Sequence, residues 1–177
     1  MDIDTFWQMI DETRTASDGD SKKQSDLLVE RLAEKSQDDI LDFEQVRLML
    51  HYQAFRGDLW DAAFVIGCGC DDDAFSDFRG WLIQQGKLVY EQALEDPQTL
   101  LNVVERGADT QADVLYWVAD KAWEKKTGEE TLPIIDGPTY PLRFDGSSLP
   151  TAEEKYTRYP QLTEKFRPQC DDEESTE

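Results

Sequence analysis

The sequence predicts an all-α protein, a compact bundle of about seven or eight helices with a proline-rich, irregular C-terminal arm packed on it. Apolar residues recur at helical spacing through residues 1–128, and residues that favour helix caps precede each apolar stretch. Pro97 is the only proline in that range, whereas the other six of the seven prolines follow it. Because proline disrupts helix interiors, we expect a helical domain over 1–128, a docked arm over 129–167 and a disordered acidic terminus over 168–177.

The first three predicted helices begin at polar residues that can cap a helix, namely Asp4, Ser21 and Ser36. Asp39 follows Ser36 by three residues, a spacing that resembles a capping box. Apolar residues at helical spacing indicate the buried stripe of each helix: Phe6, Trp7 and Ile10; Leu27, Leu28 and Leu32; Ile40, Phe43, Val46, Leu50 and Ala54.

The middle of the chain predicts several further helices. Residues 59–66 are almost wholly apolar, which indicates a short central helix buried on all sides. Asp71–Asp73 then provide negative charge at the start of an aromatic helix, where the helix dipole favours it. Gly86 predicts a break, Asp96 caps a short helix with proline at its first position, and a last helix runs from residue 109 or 110 to 128.

The segment from 129 to 166 carries too many large apolar residues for a free tail: Leu132, Ile134, Ile135, Tyr140, Leu142, Phe144, Tyr156, Tyr159, Leu162 and Phe166. We therefore expect it to wrap across the bundle, with a short helix from about Ala152 and a last turn near 162–166. A ligand or partner site would then lie on the face that the arm leaves open, or beneath the arm if it moves.

The charge balance excludes some classes of partner. The chain has 18 Lys and Arg against 39 Asp and Glu, a formal net charge of −21. Binding nucleic acid or an anionic membrane requires clustered basic residues, so neither partner is expected. No apolar run approaches the roughly 20 residues of a membrane span, and acidic residues stand where a signal peptide would carry positive charge. We expect a cytoplasmic protein.

Cysteine and histidine residues give little sign of catalytic chemistry. The three cysteines, Cys68, Cys70 and Cys170, form no metal-binding pattern, and their odd number argues against a disulfide framework. A reduced chain in which Cys68 ends a buried helix as a small apolar residue is expected. His51, the single histidine, lies inside a predicted helix and is expected to be structural. No metal or cofactor is expected.

Several segments together resemble the bacterial family of proteins of unknown function called DUF4240. They are residues 1–11, 58–73, 75–86 and 90–97, of which the stretch from Asp58 to Gly86 is the most specific, and residues 159–166 are similar to the family's usual ending. The resemblance implies no established activity, so it provides no catalytic residues.

Charged and aromatic residues are densest around the central helix, and they define the candidate binding residues: Arg56, Asp58, Trp60, Asp61, Asp72, Asp73, Arg79 and Trp81. No catalytic residue is assigned. Asp61 and Asp77 would serve as acid–base partners if the fold brought them together. The alternative, which we favour, is that Arg79 pairs with an Asp of a neighbouring helix and that the tryptophans are core residues. Among the five tryptophans, Trp7 and Trp123 are the candidates for exposed contacts.

Two classes of function remain. The favoured one is an acidic interaction or regulatory module that binds a basic protein, for example a toxin-neutralising immunity protein that blocks a cationic nuclease site. The alternative is a small carboxylate-based enzyme, with or without a divalent metal. Three or more carboxylates converging in a concave site would favour the enzyme, whereas acids spread around exposed aromatic residues would favour the interaction module.

Overall fold

The computed structural model describes residues 1–111, 115–140 and 150–174, and this part of the chain confirms the all-α prediction, with nine α-helices, one 3-10 helix and no strand. The helices are α1 Ile3–Ser17, α2 Ser21–Ala33, α3 Gln37–Gln53, α4 Gly57–Ile66, α5 Asp72–Gln84, α6 Lys87–Glu95, the 3-10 helix Pro97–Asn102, α7 Val118–Thr127, α8 Ala152–Arg158 and α9 Pro160–Glu174.

Several helix starts agree with the sequence prediction because they depend on local hydrogen bonds. Ser36 and Asp39 form a reciprocal capping box at α3. The carboxylates of Asp71 and Asp96 accept backbone N–H bonds at the starts of α5 and the 3-10 helix.

Two helix starts differ from the prediction. Asp2, not Asp4, caps α1, because its carboxylate accepts a bond from the backbone N–H of Thr5 at 2.7 Å. The α7 helix begins at Val118, well after the expected start at residue 109 or 110. The side chain of Asp109 instead accepts a bond from the backbone N–H of Gln111 at 3.0 Å and stabilises a turn there.

The helices share one hydrophobic core. The α1 helix packs on α2, and α7 packs on both α2 and α3. The short α4 helix is central to the other half, where it contacts α5, α8, α9 and the 3-10 helix. Phe6 and Phe43 join α1 to α3, with ring centroids 4.8 Å apart, and Trp7 packs on Tyr90 at 5.3 Å. This arrangement leaves α4 covered by the C-terminal helices.

The exposed tryptophan is not one of the two that the sequence suggested. Trp7 and Trp123 are buried in the core, whereas Trp117 is 56% exposed. Trp7 faces inward because the α1 stripe packs against Tyr90 of α6. Trp123 is buried because α7 is covered by α2 and α3.

Described residues of the segment after α7 contact the helical bundle both before and after the gap at 141–149. Tyr140 packs against α3, and Tyr159, Leu162 and Phe166 are buried on the other side of the molecule. The short helix expected from about Ala152 is present as α8. Ile134 was expected to be buried, but it is 98% exposed. Leu142 and Phe144 lie outside the described residues.

The expectation of a chain without a disulfide is wrong, because Cys68 and Cys170 are disulfide-bonded across 102 positions of sequence. Cys68 is therefore a cross-link at the end of α4 and not merely a small apolar residue. The expected last turn near 162–166 is the first part of α9, whose backbone is helical to Glu174. The disordered acidic terminus over 168–177 stays a prediction, and within it the disulfide joins Cys170 to Cys68.

Candidate functional site

His51 is a buried, neutral residue between α3, α5 and the segment after α7. Its Nε2 lies 3.0 Å from the carbonyl oxygen of Ser76, and its Nδ1 lies 2.8 Å from the hydroxyl of Tyr140. A carbonyl oxygen only accepts, so Nε2 donates to Ser76 and Nδ1 accepts from Tyr140. Burial, with smaller contributions from Arg79 and Arg47, lowers the pKa of His51 to about 3. The ring therefore joins three segments as a neutral structural group.

Arg79 is buried among aromatic rings next to His51. Its guanidinium carbon lies 5.0 Å from the ring centre of Phe55, 4.9 Å from that of Phe75 and 5.2 Å from that of Tyr140. Its Nη1 donates to the carbonyl of His51 at 3.1 Å. The aromatic faces and the carbonyl oxygens both stabilise a buried guanidinium.

Arg56 and Asp58 form an ion pair at the start of α4. Nη1 of Arg56 also donates to the carbonyl of Leu94 at 2.7 Å, which connects this corner to the end of α6. The two residues thus position the start of the central helix.

Trp60 and Trp81 both pack inside the aromatic part of the fold. The Trp60 ring stacks on Phe75 with centroids 4.9 Å apart, and its Nε1 donates to the carbonyl of Cys70 at 2.8 Å. Trp81 is buried and stacks on Phe78 at 5.5 Å. Both tryptophans therefore stabilise the region around α5.

Asp61 is a buried carboxylate that binds cations of α8. It forms an ion pair with Arg158, and Nζ of Lys155 lies 4.0 Å from its other oxygen. Burial raises the pKa of Asp61, and the two cations oppose that rise. No described contact connects Asp77 with Asp61. The structure therefore gives no sign that these two carboxylates act as an acid–base pair.

Five aspartates form the acidic surface of the protein beside the start of α5, namely Asp71, Asp72, Asp73, Asp77 and Asp109. Burial and then the charges of Asp73, Asp109 and Asp71 raise the pKa of Asp77, which shows that these carboxylates lie near one another. Asp72 and Asp73 are exposed in the first turn of α5. Of the eight predicted site residues, these two are the ones that present their charge fully to solvent.

Tyr116 and Trp117 are exposed aromatic residues that the sequence reasoning missed. They are 52% and 56% exposed, and their rings contact each other edge to face at 4.7 Å. The Arg47 guanidinium lies 5.7 Å from the Tyr116 ring centre. Arg47 is one turn of α3 before His51, which contacts Ser76 beside the acidic surface. The aromatic pair therefore contacts α3 through Arg47, and α3 contacts α5 through His51. No capping residue in the sequence marks the start of α7 at Val118, so no local pattern indicates that the pair is exposed.

A shallow apolar groove lies on the outer side of α3. It has a volume of about 360 Å³ and is lined by Gln45, Val46, Met49, Tyr52, Asp136, Gly137 and Pro138. The lining comes from α3 and from the segment after α7, so the groove exists only while that segment is docked.

The carboxylates of the described residues do not converge in the way a metal site requires. No group of three or more His, Cys, Asp or Glu residues in the described ranges is arranged to hold a metal ion. No helix among the described residues is long and apolar enough to cross a membrane.

Comparison with known proteins supports a family assignment alone. No curated protein and no solved structure matches the chain. The similarity expected for residues 159–166 lies outside the matched segment. A family model described as a protein of unknown function, DUF4240, matches residues 1–125, and the chain therefore belongs to that family.

Proposed function

We propose that this protein is an acidic interaction module that binds a basic protein through the acidic surface and the exposed pair Tyr116 and Trp117. The observation that carries the proposal is that the fold exposes both this aromatic pair and a cluster of carboxylates. Large aromatic side chains supply binding energy in protein interfaces, and a field of one sign steers a partner of the opposite charge.

The net charge of −21 supports a basic partner. Burial, and then the charges of Asp73, Asp109 and Asp71, raise the pKa of Asp77, and a cationic side chain placed there would relieve the repulsion among these charges. A toxin-neutralising immunity protein is one concrete form of this role, since it would cover a cationic site on its target.

The remaining predicted site residues take a supporting part in this proposal. Asp61, Arg79 and Trp81 are buried, so they hold the surface in shape and do not touch the partner. Of the predicted site residues, we propose that Asp72 and Asp73 contact the partner. No specific observation favours the carboxylate enzyme, because Asp61 and Asp77 do not meet.

The test is capture of partners from the native cell by the full chain and by two charge variants. Asp72→Asn with Asp73→Asn removes two charges from the acidic surface while Asp71 still caps α5. Glu91→Gln with Glu95→Gln removes two exposed charges from α6 and is the matched control. At low salt, we expect the wild type and the control variant to retain a basic protein. The acidic-surface variant should not retain it, and high salt should release it from the wild type.

A second pair of variants tests the aromatic contact. Trp117→Ala is expected to weaken binding of the same basic protein by about tenfold or more, as loss of an interface aromatic does. Leu88→Ala, at a position 67% exposed on α6, is the control and leaves binding unchanged. The proposal is wrong if each protein captured by the wild type is captured equally by the acidic-surface and Trp117 variants.

A further inference from the structure

We propose that Cys68 and Cys170 form a reversible redox latch that fixes the acidic C-terminal end of α9 on the loop between α4 and α5. The two cysteines are disulfide-bonded, with Cα atoms 5.1 Å apart. Cys68 stands just after α4, and Cys170 lies in the last part of α9. The bond therefore joins the end of the chain to the centre of the fold. This inference does not depend on the proposed partner.

Among the described side chains, the noncovalent anchors of α9 lie just before it and in its first half. Tyr159, Leu162 and Phe166 are buried, and Nζ of Lys165 donates to the carbonyl of Leu101 at 3.0 Å. The guanidinium of Arg167 lies 4.6 Å from the ring centre of Tyr156 in α8. Among the described contacts of the residues after Arg167, the disulfide is the one that reaches another part of the fold. The latch thus acts on residues after 167, while residues 159–166 stay packed without it.

Local chemistry opposes a helix at this end of the chain. Pro168 lies inside α9 and has no N–H to donate to the preceding turn. Residues 171–174 are all acidic in the sequence, and negative charge is unfavourable at a helix C-terminus. Asp71–Asp73 follow Cys68 closely and add charge of the same sign near the bond. Without the covalent bond, these three features favour release of the end of α9.

The chemistry of the latch is thiol–disulfide exchange with a glutathione-class thiol. A thiolate of the reductant attacks one sulfur of the Cys68–Cys170 bond and forms a mixed disulfide, and the other cysteine leaves as a thiolate, which then takes up a proton. A second glutathione thiolate completes the reaction. The protein sulfurs gain two electrons and two protons, and the two glutathione molecules become glutathione disulfide. Oxidation is the reverse reaction, with glutathione disulfide as the oxidant.

Cys70 is a bystander in this exchange and provides the matched control. Burial, and then the charge of Asp71, raise the pKa of its thiol to about 12, so it is protonated near neutral pH. Because the thiolate is the nucleophile in exchange, Cys70 does not compete with Cys170 for Cys68.

The experiment equilibrates the full chain in glutathione buffers of graded ratio, then combines thiol alkylation, peptide mapping and amide hydrogen exchange. Alkylation follows acid quenching and unfolding in denaturant, so that the half-buried thiol of Cys70 reacts too, and in oxidising buffer we expect one alkylated thiol, Cys70, and a mapped link between Cys68 and Cys170. In reducing buffer we expect three alkylated thiols. Exchange of amides 169–174 should then be faster by about tenfold or more, while that of 160–166 is unchanged.

Variants separate the latch from general loss of stability. Cys170→Ser should show the fast exchange of 169–174 in both buffers, whereas Cys70→Ser should behave as wild type. The proposal is overturned if the Cys68–Cys170 link does not form in oxidising buffer, or if Cys70 takes its place. It is also overturned if amides 169–174 exchange equally fast in the linked and reduced chains.

Discussion

Nδ1 of His51 lies 2.8 Å from the hydroxyl oxygen of Tyr140, although 89 positions of sequence separate the two residues. This hydrogen bond attaches the segment after α7 to α3. It also fixes the protonation state of the imidazole, because Nδ1 has to accept from the hydroxyl while Nε2 donates to a carbonyl. Docking of the segment and neutrality of His51 are therefore coupled.

The first prediction concerns the dependence of stability on pH. Folding lowers the pKa of His51 from 6.5 to about 3, so the stability that the neutral ring contributes is fully present above pH 6.5. It is lost as pH falls toward 3, because the unfolded chain takes up a proton that the folded chain does not. We expect a loss of about 1.4 kcal/mol per pH unit well below pH 6.5.

The measurement is urea unfolding at pH 7, 6, 5 and 4 for the wild type and for His51→Gln. Other groups titrate in both proteins, so the difference between the two free energies of unfolding isolates His51. The advantage of the wild type should shrink as pH falls. A difference that stays constant from pH 7 to 4 would contradict a buried neutral histidine.

Features that depend on neighbouring residues were predictable from the sequence. The capping box of Ser36 and Asp39 and the cap at Asp71 form within three residues, and the apolar stripes of the helices indicate their buried faces. Membership of the family followed from motifs of the same kind, and it is confirmed for residues 1–125.

Features that depend on long-range packing were not predictable. The bond between Cys68 and Cys170 spans 102 positions, and cysteine spacing in the sequence carries no sign of a contact between distant segments. Trp117 is exposed because it lies just before α7, which begins at Val118. No capping residue in the sequence marks that start. The position of Asp72 and Asp73 at a helix start could be predicted because charge at a helix start is visible locally, whereas the exposure of the aromatic pair depends on the fold.

The second prediction concerns Gly86, the residue between α5 and α6. Its φ is 98°, and a Cβ there would approach Oδ1 of Asp11 more closely than real Cβ atoms do. That oxygen accepts a bond from the backbone N–H of Lys87 at 3.2 Å. Gly86→Ala is expected to lower the free energy of unfolding by about 2–3 kcal/mol, through backbone strain and loss of this bond.

Gly107 provides the control for backbone strain alone. Its φ is 75°, and nothing lies within 4 Å of a Cβ built on it. Gly107→Ala should lower the free energy of unfolding by about 1 kcal/mol. Equal losses for the two variants in urea unfolding would show that the contact with Asp11 has no energetic role.

The third prediction concerns the ion pair that joins α4 to α8. The side chain of Asp61 is 4% exposed, while that of Arg158 is 48% exposed. Arg158→Met leaves the buried carboxylate with Lys155, whose Nζ is 4.0 Å away. Removing one partner of a fully buried pair costs about 3–5 kcal/mol. Because solvent screens the exposed guanidinium, we expect a loss of about 1–2 kcal/mol at pH 7.

The sign of the pH dependence distinguishes this ion pair from a packing effect. Burial raises the pKa of Asp61 above 3.8 in the folded state, and loss of Arg158 would raise it further. The destabilisation by Arg158→Met should therefore shrink as pH falls through that raised pKa, because a protonated Asp61 no longer needs a cation.

Arg167→Met is the control, since Arg167 and its partner Glu153 are both exposed and 3.9 Å apart. It should change the free energy of unfolding by less than about 0.5 kcal/mol at any pH. A loss for Arg158→Met that is the same at pH 7 and pH 4 would show that the methylene stem of Arg158, and not its charge, stabilises the contact between α4 and α8.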